Sequence, residues 1–508
     1  MSLKSNNAPG ALSSCRALNW KTVFAALVLF EFATLLVALL IPQRAADLHA
    51  AYGQLLIAAL AGVYFTAAGL PRKTELRIFL LWLLWLLLSR WLNRDFYLFL
   101  DRSALIASLR AFLFLAVGTV LDARQRQRFL RALTIVYAGF FVLAAAAGLF
   151  VVLTGTYLHI PPENIWITVL PSNFIGLKMR ALNLLSSHRL TVASRLFLAW
   201  CLLLLQILRV ERKRWALPLG LGMLILHLAI SLCFSRTTQI CFSVACAMLG
   251  LLIVHRRSGR TSGAKRLLLL ALVPLLCLPL AYKSFDLCAS VVAALRAEIV
   301  PRYEQVYRSS GRQFDPEGFF GLEADVSAYE AEEAGSAAVS DDTAVEETFT
   351  EQRILAGNVT LTGRTDIWKS IIPCVREKPS IFLYGQPSKE IMPLANKYIQ
   401  SAEYKPHMHN MLAQCFMLTG LPGFLLVLGW CVLLLIKLVR VFFRPAESAP
   451  IAVVFLTIPL SCILLYNMTE VSIFAAYDVS GYVFFLLAGI FLAEYEELFP
   501  RGAKKAED

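Results

Sequence analysis

Apolar runs of about 20 residues follow one another along this chain, from residue 22 to residue 493. A run of that length spans the hydrocarbon core of a bilayer as a helix, because a helix pairs its backbone groups internally. Only 16% of the residues are charged and 58% are apolar, whereas soluble proteins carry about 25% charged residues. These features exclude a water-soluble globule and a disordered chain, and they predict an all-α polytopic membrane protein.

Twelve such runs, each predicting a transmembrane helix, can be distinguished. They lie at 22–42, 51–70, 76–93, 104–121, 132–154, 190–208, 216–234, 236–255, 267–282, 418–439, 450–468 and 473–493. With the N-terminus placed in the cytoplasm, each predicted cytoplasmic segment carries at least three Lys or Arg, in agreement with the positive-inside rule. These basic segments also account for much of the net charge of +13, so no nucleic-acid partner is predicted.

The predicted organisation has five parts. They are a cytoplasmic N-terminus (1–21), helices one to nine (22–282), a large extracytoplasmic loop (283–408), helices ten to twelve (409–493) and a cytoplasmic C-terminus (494–508). The large loop is far longer than a simple connection. Its segment 313–352 holds twelve acidic residues and no Lys or Arg, which predicts a disordered insertion. Residues 362–388 mix apolar and basic side chains, which is typical of an amphipathic helix and turn.

A histidine motif lies where the large loop re-enters the membrane. His407-Met408-His409-Asn410 is followed by nine mostly apolar residues and then by Gly420-Leu421-Pro422-Gly423. A histidine at this boundary can abstract a proton, and the glycines interrupt the helix and allow close backbone approach. The alternative is an interfacial histidine pair without a catalytic role. If a helix begins here, His407 and His409 point about 200° apart, and we assign the base to His409.

Three arginines are predicted at the outer rim of the membrane. Arg180 lies in the first long outer loop, Arg236 lies between two apolar runs, and Arg364 precedes Trp368 by four residues. A charge at this depth is a candidate functional residue. Because Arg binds phosphate through a planar fork of donors, several of them suggest a diphosphate ligand.

The structural alternative for each arginine is snorkelling to the membrane interface or an ion pair with an acidic side chain. Candidate partners are Glu31, Asp366, Glu470 and Asp478. We prefer this alternative for Arg90 and Arg110, which belong to no motif. A His-x-His sequence can also bind a metal, but no Cys or carboxylate cluster stands near it in the sequence, so no metal is predicted.

Together, in this order, the motifs resemble those of the O-antigen ligase family, which shares a core domain with O-antigen polymerases. The resemblance rests on Arg180-x-x-x-Leu184, Ser235-Arg236, Arg364-x-x-x-Trp368, Tyr384-Gly385-Gln386-Pro387 and His409-Asn410 with the spaced Gly-x-x-Gly. It covers about 170–430. It implies a GT-C-like helical fold in the bacterial plasma (inner) membrane, with an active site on the extracytoplasmic face.

The resemblance also implies a metal-independent glycosyltransferase of cell-envelope polysaccharide or lipopolysaccharide biosynthesis. The donor is then a glycan on undecaprenyl diphosphate, and the acceptor is a sugar hydroxyl on a lipid-A-core or a growing glycan. The implied catalytic residues are His409, Arg236 and Arg180, and the implied substrate-binding residues are Arg364, Trp368, Asn410, His407 and Gly385. No cofactor is expected, since arginines can stabilise the leaving group.

Several alternatives remain open from the sequence. The chain can be a ligase or a polymerase of O-antigen, capsule or wall polysaccharide, and its sugar, linkage, acceptor and oligomeric state are not specified. A transporter or flippase also has about twelve helices, but transporters usually show two related halves, and no repeat is found here. A membrane scaffold with a sensory loop would leave the ordered Arg and His motifs unexplained.

Overall fold

The fold is a bundle of helices, seen in a computed structural model. The structure describes residues 19–40, 43–71, 73–93, 102–154, 175–178, 181–184, 189–209, 213–257, 263–309, 364–399, 407–444, 450–474 and 478–500. The predicted insertion 313–352 and the predicted site residue Arg180 lie outside these ranges.

The all-α class is confirmed for the described residues, apart from one small hairpin. The first helices are α1 (Trp20–Ala38), α2 (Gln43–Ala68), α3 (Thr74–Leu92), α4 (Arg102–Val120), α5 (Ala123–Leu133) and α6 (Gly139–Thr154), with a π-helical turn between the last two. Strands β1 (Ile175–Lys178) and β2 (Ala181–Leu184) pair antiparallel. Next come α7 (Arg189–Arg209), α8 (Ala216–Leu232), α9 (Arg236–Arg257) and α10 (Gly263–Ser309).

The remaining helices are short at first and then long. Four short ones follow the undescribed part of the large loop: α11 (Arg364–Lys369), α12 (Ile371–Glu377), α13 (Ser380–Tyr384) and α14 (Ser388–Asn396). The last three are α15 (Met411–Phe442), α16 (Ile451–Tyr466) and α17 (Val479–Leu498). The short helices agree with the helix and turn predicted for 362–388.

Each of the twelve predicted apolar runs overlaps a helix of the structure. Among the described residues, seven helical segments are long and apolar enough to span a membrane: Trp20–Ala38, Ala123–Thr154, Leu190–Arg209, Arg236–His255, Leu270–Ile299, Met411–Phe442 and Val479–Leu498. A multi-pass membrane protein is therefore supported. The number of twelve spans, their orientation and the GT-C-like arrangement stay predictions.

The ninth predicted helix differs from the structure in length. Helix α10 continues to Ser309, so the residues from 283 to 309 are helical and not the beginning of a loop. The helix contains Pro274, Pro279 and Pro301. The apolar run ends at about residue 282, because charged residues such as Lys283 and Asp286 follow it. The sequence therefore did not show that the helix continues.

Helix α17 forms the centre of the bundle. All its residues from Val483 to Leu492 are buried. Its closest neighbour is α4, because glycines stand at the crossing: a Cβ on Gly118 would lie 2.2 Å from the backbone nitrogen of Ile490, and one on Gly489 would lie 2.1 Å from the carbonyl oxygen of Leu115. The two backbones therefore pack at a distance that a side chain would prevent.

Basic residues that were predicted to be cytoplasmic meet acidic partners at one end of the bundle. Arg126 Nε lies 2.9 Å from Glu494, and Lys73 lies 3.0 Å from Glu496. Lys437, near the end of α15, pairs with Glu75. We call this the basic end; the histidine motif lies at the other end of α15.

The structural alternative is supported for the two arginines without a motif. Arg110 pairs with the buried Glu31 at 2.9 Å and donates to the Tyr482 hydroxyl at 3.3 Å. Arg90 is buried and donates to the Gln386 carbonyl at 3.2 Å. Both therefore join elements of the bundle.

Candidate active site

The candidate site is organised by residues 467–474, which directly follow α16 and which we call the site loop. The Asn467 side chain, fully buried, donates to the Ile463 carbonyl at 2.8 Å. Its Oδ1 accepts from the backbone N–H groups of Ser472 at 2.7 Å and Ile473 at 3.2 Å. The Asn467 side chain thus joins the beginning of the site loop to its end and also holds the loop to the last turn of α16.

The last residue of the site loop anchors it in the core. Phe474 has a left-handed backbone (φ 62°), and its ring is buried. It packs against Phe79, Trp82, Trp430 and Phe485 with ring centroids 5.2–5.4 Å apart. Such aromatic packing holds the loop in one position relative to α3, α15 and α17.

The histidine motif is tied to the site loop by the start of α15. Asn410 is the N-cap: its Oδ1 accepts from Ala413 N–H at 3.0 Å, and its amide donates to the Met468 carbonyl at 2.9 Å. Met411 N–H donates to the Asn467 carbonyl at 2.9 Å. Asn410, predicted to bind substrate, therefore has backbone partners that fix the turn.

The two histidines stand side by side, and the prediction that they point apart is wrong. It assumed that a helix begins at His407, whereas the helix begins at Met411. The ring centroids are 4.0 Å apart, and His407 Nδ1 accepts from the backbone N–H of His409 at 3.1 Å. The backbone of His409 is left-handed (φ 48°), which is uncommon for a residue with a side chain.

Glu470, on the site loop, contacts both His409 and Arg364. His409 Nδ1 lies 3.3 Å from Glu470 Oε2, and the Arg364 guanidinium pairs with Oε1. The carboxylate side chain is 5% exposed and the His409 side chain 13%. From the sequence, Glu470 was only a possible partner of an arginine. Its contact with His409 joins residues that are 61 positions apart, so it is visible only in the tertiary structure.

Trp368 contacts residues 407–410, which we call the histidine turn. Its indole N–H donates to the Met408 carbonyl at 3.0 Å, and Met408 N–H donates to Gln414 Oε1 at 3.0 Å. The Met408 side chain is fully buried. Trp368 was predicted to contact substrate; in the structure it positions the residue next to His409.

Gly385, also predicted to bind substrate, lies at a backbone crossing with Gly420. Both have a positive φ, 69° and 67°. A Cβ on Gly385 would lie 2.3 Å from the Leu418 carbonyl carbon, and one on Gly420 would lie 2.6 Å from that of Leu383. The predicted interruption of the helix at Gly420 is confirmed, because this residue has non-helical angles inside α15.

Arg236 lies at the first residue of α9, and its side chain is exposed. The preceding Ser235 caps the helix, since its Oγ accepts from Thr238 N–H at 3.3 Å. Thr469 of the site loop donates to the Thr237 hydroxyl at 3.4 Å. Thr237 directly follows Arg236 in the chain, and Thr469 directly precedes Glu470. The contact between the two threonines therefore brings Arg236 and Glu470 into the same region. Arg180 falls between β1 and β2, at residues that the structure does not describe.

A further ion pair was missed by sequence reasoning. Arg195 in α7 pairs with Asp478 at the start of α17, with Nε 3.0 Å from Oδ1. Burial raises the pKa of Asp478, but the Arg195 cation and hydrogen bonds from Ser480 outweigh it and lower the pKa below its usual value. Arg195 interrupts the apolar run 190–208, a signal that could have identified it.

His407, His409 and Glu470 can hold a metal ion by geometry. Each offers one ligand atom, and these atoms lie within 4.8 Å of one another. Glu470, which is 61 residues from His409 in the sequence, therefore joins the two histidines only in the folded structure. Arg364 already occupies one Glu470 oxygen, which places a cation beside the site. Metal independence stays a prediction.

The comparison with known families found a match for part of the chain. Residues 221–428 match the family model described as O-antigen ligase. This part of the chain is similar to the O-antigen ligase family. The match runs from α8 into α15 and includes Arg236, Arg364 and His409, whereas Glu470 lies beyond it. A search among curated proteins found no match.

Proposed function

We propose that this protein transfers a glycan from undecaprenyl diphosphate to a sugar hydroxyl at the outer face of the bacterial plasma membrane, as an O-antigen ligase does. The observation that supports it most is the arrangement at the site loop. Glu470 contacts His409 and Arg364 directly, and Thr469 contacts the residue after Arg236. His409 and Arg364 thus meet at Glu470, and Arg236 precedes a residue that contacts the same loop.

In the proposed reaction His409 is the general base. The acceptor hydroxyl oxygen forms a bond to the anomeric carbon of the donor sugar and gives its proton to His409. The bond between the anomeric carbon and the phosphate oxygen breaks, and its electron pair leaves with undecaprenyl diphosphate. General-base catalysis of this kind contributes typically about 10²–10⁴-fold to a rate.

The diphosphate leaving group requires positive charge in this scheme. Arg236 is exposed at the start of α9 and is the first candidate. Arg180, outside the described residues, falls in the sequence between two strands that contact α6, α7 and α8. Arg364 is half-buried and paired with Glu470, so it contributes to diphosphate binding only through its remaining donors. Arginines in these positions can replace a metal.

The test is the transfer rate of the purified protein in detergent with a lipid-linked donor. We expect His409→Ala to lose roughly 10²–10⁴-fold while keeping its expression level and thermal stability. His407→Ala serves as the neighbouring comparison and should retain much more activity. A His409→Ala variant with the wild-type rate would refute the proposal.

Ligase and polymerase differ in the acceptor and can be distinguished by the product. A ligase attaches one donor glycan to a lipid-A-core acceptor, whereas a polymerase lengthens the glycan on its own lipid carrier. Supplying each acceptor separately and resolving the products by gel decides between them. The transporter alternative predicts that no glycosidic bond is formed with either acceptor.

A further inference from the structure

We infer that Glu470 is the positioning residue of the base: it selects the ring nitrogen of His409 that accepts the proton and stabilises the imidazolium that results. This inference rests on the proposed function. The residues that match the family model end at 428, before Glu470. The assignment therefore comes from the contacts of the site loop.

The geometry determines which nitrogen is the base. His409 Nδ1 lies 3.3 Å from Glu470 Oε2, and a carboxylate can only accept, so Nδ1 carries the proton. Nε2 then has the free lone pair and takes the proton of the acceptor hydroxyl. The distance is long for an N–H···O bond, and such bonds tighten when the positively charged ring forms.

The two partners are held by one connected piece of backbone. Asn410 and Met411, the residues directly after His409, bond to the carbonyls of Met468 and Asn467. Glu470 follows two residues later on the same loop, and Phe474 anchors that loop in the core. Because two hydrogen bonds next to the pair join the turn to the loop, the His409–Glu470 contact is pre-organised.

Arg364 explains how the carboxylate tolerates its burial. Glu470 is 5% exposed, and a buried charge needs a compensating partner. Arg364 supplies it at Oε1 while Oε2 remains directed at His409. The charged or titratable groups that contact His409 or Glu470 in the described part of the chain include His407, Arg364 and Tyr466.

The competing explanation is that Glu470 is a structural partner of Arg364 and has no influence on the base. The variant Glu470→Gln removes the charge and keeps the shape. We expect it to lower kcat by about 100-fold or more, with little change in the donor KM.

The matched control is Glu31→Gln. Glu31 is also buried and paired with an arginine, Arg110, at 2.9 Å, but it has no contact with the site loop among the described residues. It should change thermal stability without lowering kcat. Glu470→Asp keeps the charge on a shorter side chain and should recover part of kcat, which a loss of folding would not explain.

A second measurement does not depend on activity. The chain has seven histidines, so ¹⁵N spectra of histidine-labelled protein are simple enough to assign His409 by its loss in His409→Ala. We expect protonated Nδ1 in the wild type and a mixture of tautomers in Glu470→Gln. A wild-type kcat and a wild-type tautomer in Glu470→Gln, alongside an inactive His409→Ala, would overturn the role of Glu470 and leave the proposed function standing. An active His409→Ala would overturn both.

Discussion

Replacing Gly420 by alanine tests how the site is held to the bundle. Gly420 has φ 67° and ψ −171°, a region that is essentially restricted to glycine and costs other residues about 1–3 kcal/mol. The added Cβ would lie 2.6 Å from the backbone of Leu383 and Tyr384, and relieving such an overlap costs typically another ~1–3 kcal/mol. The variant should therefore lose roughly 2–6 kcal/mol of stability.

The effect should extend to activity because of what the crossing connects. Gly420 in α15 packs against α13, and the segment that contains α13 also carries Arg364 and Trp368, the partners of the histidine turn. A displacement of about 1 Å in a catalytic arrangement can cost roughly 100-fold in rate. We therefore expect Gly420→Ala to lower both the thermal midpoint and the transfer rate.

The control lies in the same helix. A Cβ added at Gly429 would meet no heavy atom of the described residues within 4 Å, so Gly429→Ala should be neutral or stabilising by about 0.5–1 kcal/mol, as expected for alanine in a helix interior. The assay is thermal unfolding in detergent at one fixed scan rate, since such unfolding is often irreversible. A Gly420→Ala variant as stable as Gly429→Ala would refute the reasoning.

Three further predictions concern the charges of the site and the large loop. Arg236→Lys should slow transfer by about tenfold and weaken donor binding, because lysine lacks the bidentate fork; equal rates for Arg236→Lys, Arg236→Ala and wild type would show that this arginine is idle. A strong chelator should leave the rate unchanged, since Arg364 already neutralises Glu470; loss of activity restored by a divalent ion would instead assign a metal to His407, His409 and Glu470. Deleting 313–352 should preserve activity, because this acidic segment has few bulky apolar residues to pack; an inserted but inactive deletion variant would contradict that expectation.

The sequence proposed residues that lie close together in the structure, but it did not give their geometry. His409, Arg236 and Arg364 were all proposed from residue type, spacing and position relative to apolar runs, and the structure brings these three to the site loop by direct contacts or through a neighbouring residue. The predicted angle between His407 and His409 was wrong, because the angle between two side chains depends on where the helix starts. That start is decided by the Asn410 cap and its bond to Met468, a partner 58 residues away.

Apolar periodicity and length were sufficient to locate the helices, because the bilayer imposes the same requirement on every spanning segment: internal hydrogen bonds and an apolar surface. These requirements are local, so the sequence alone determined the helical class, the approximate positions of the helices and the histidine motif. The pairing of charges is not local. Glu470 with His409, Asp478 with Arg195 and Glu31 with Arg110 join residues on different helices or loops, and only the packing of the bundle decided which acid meets which base.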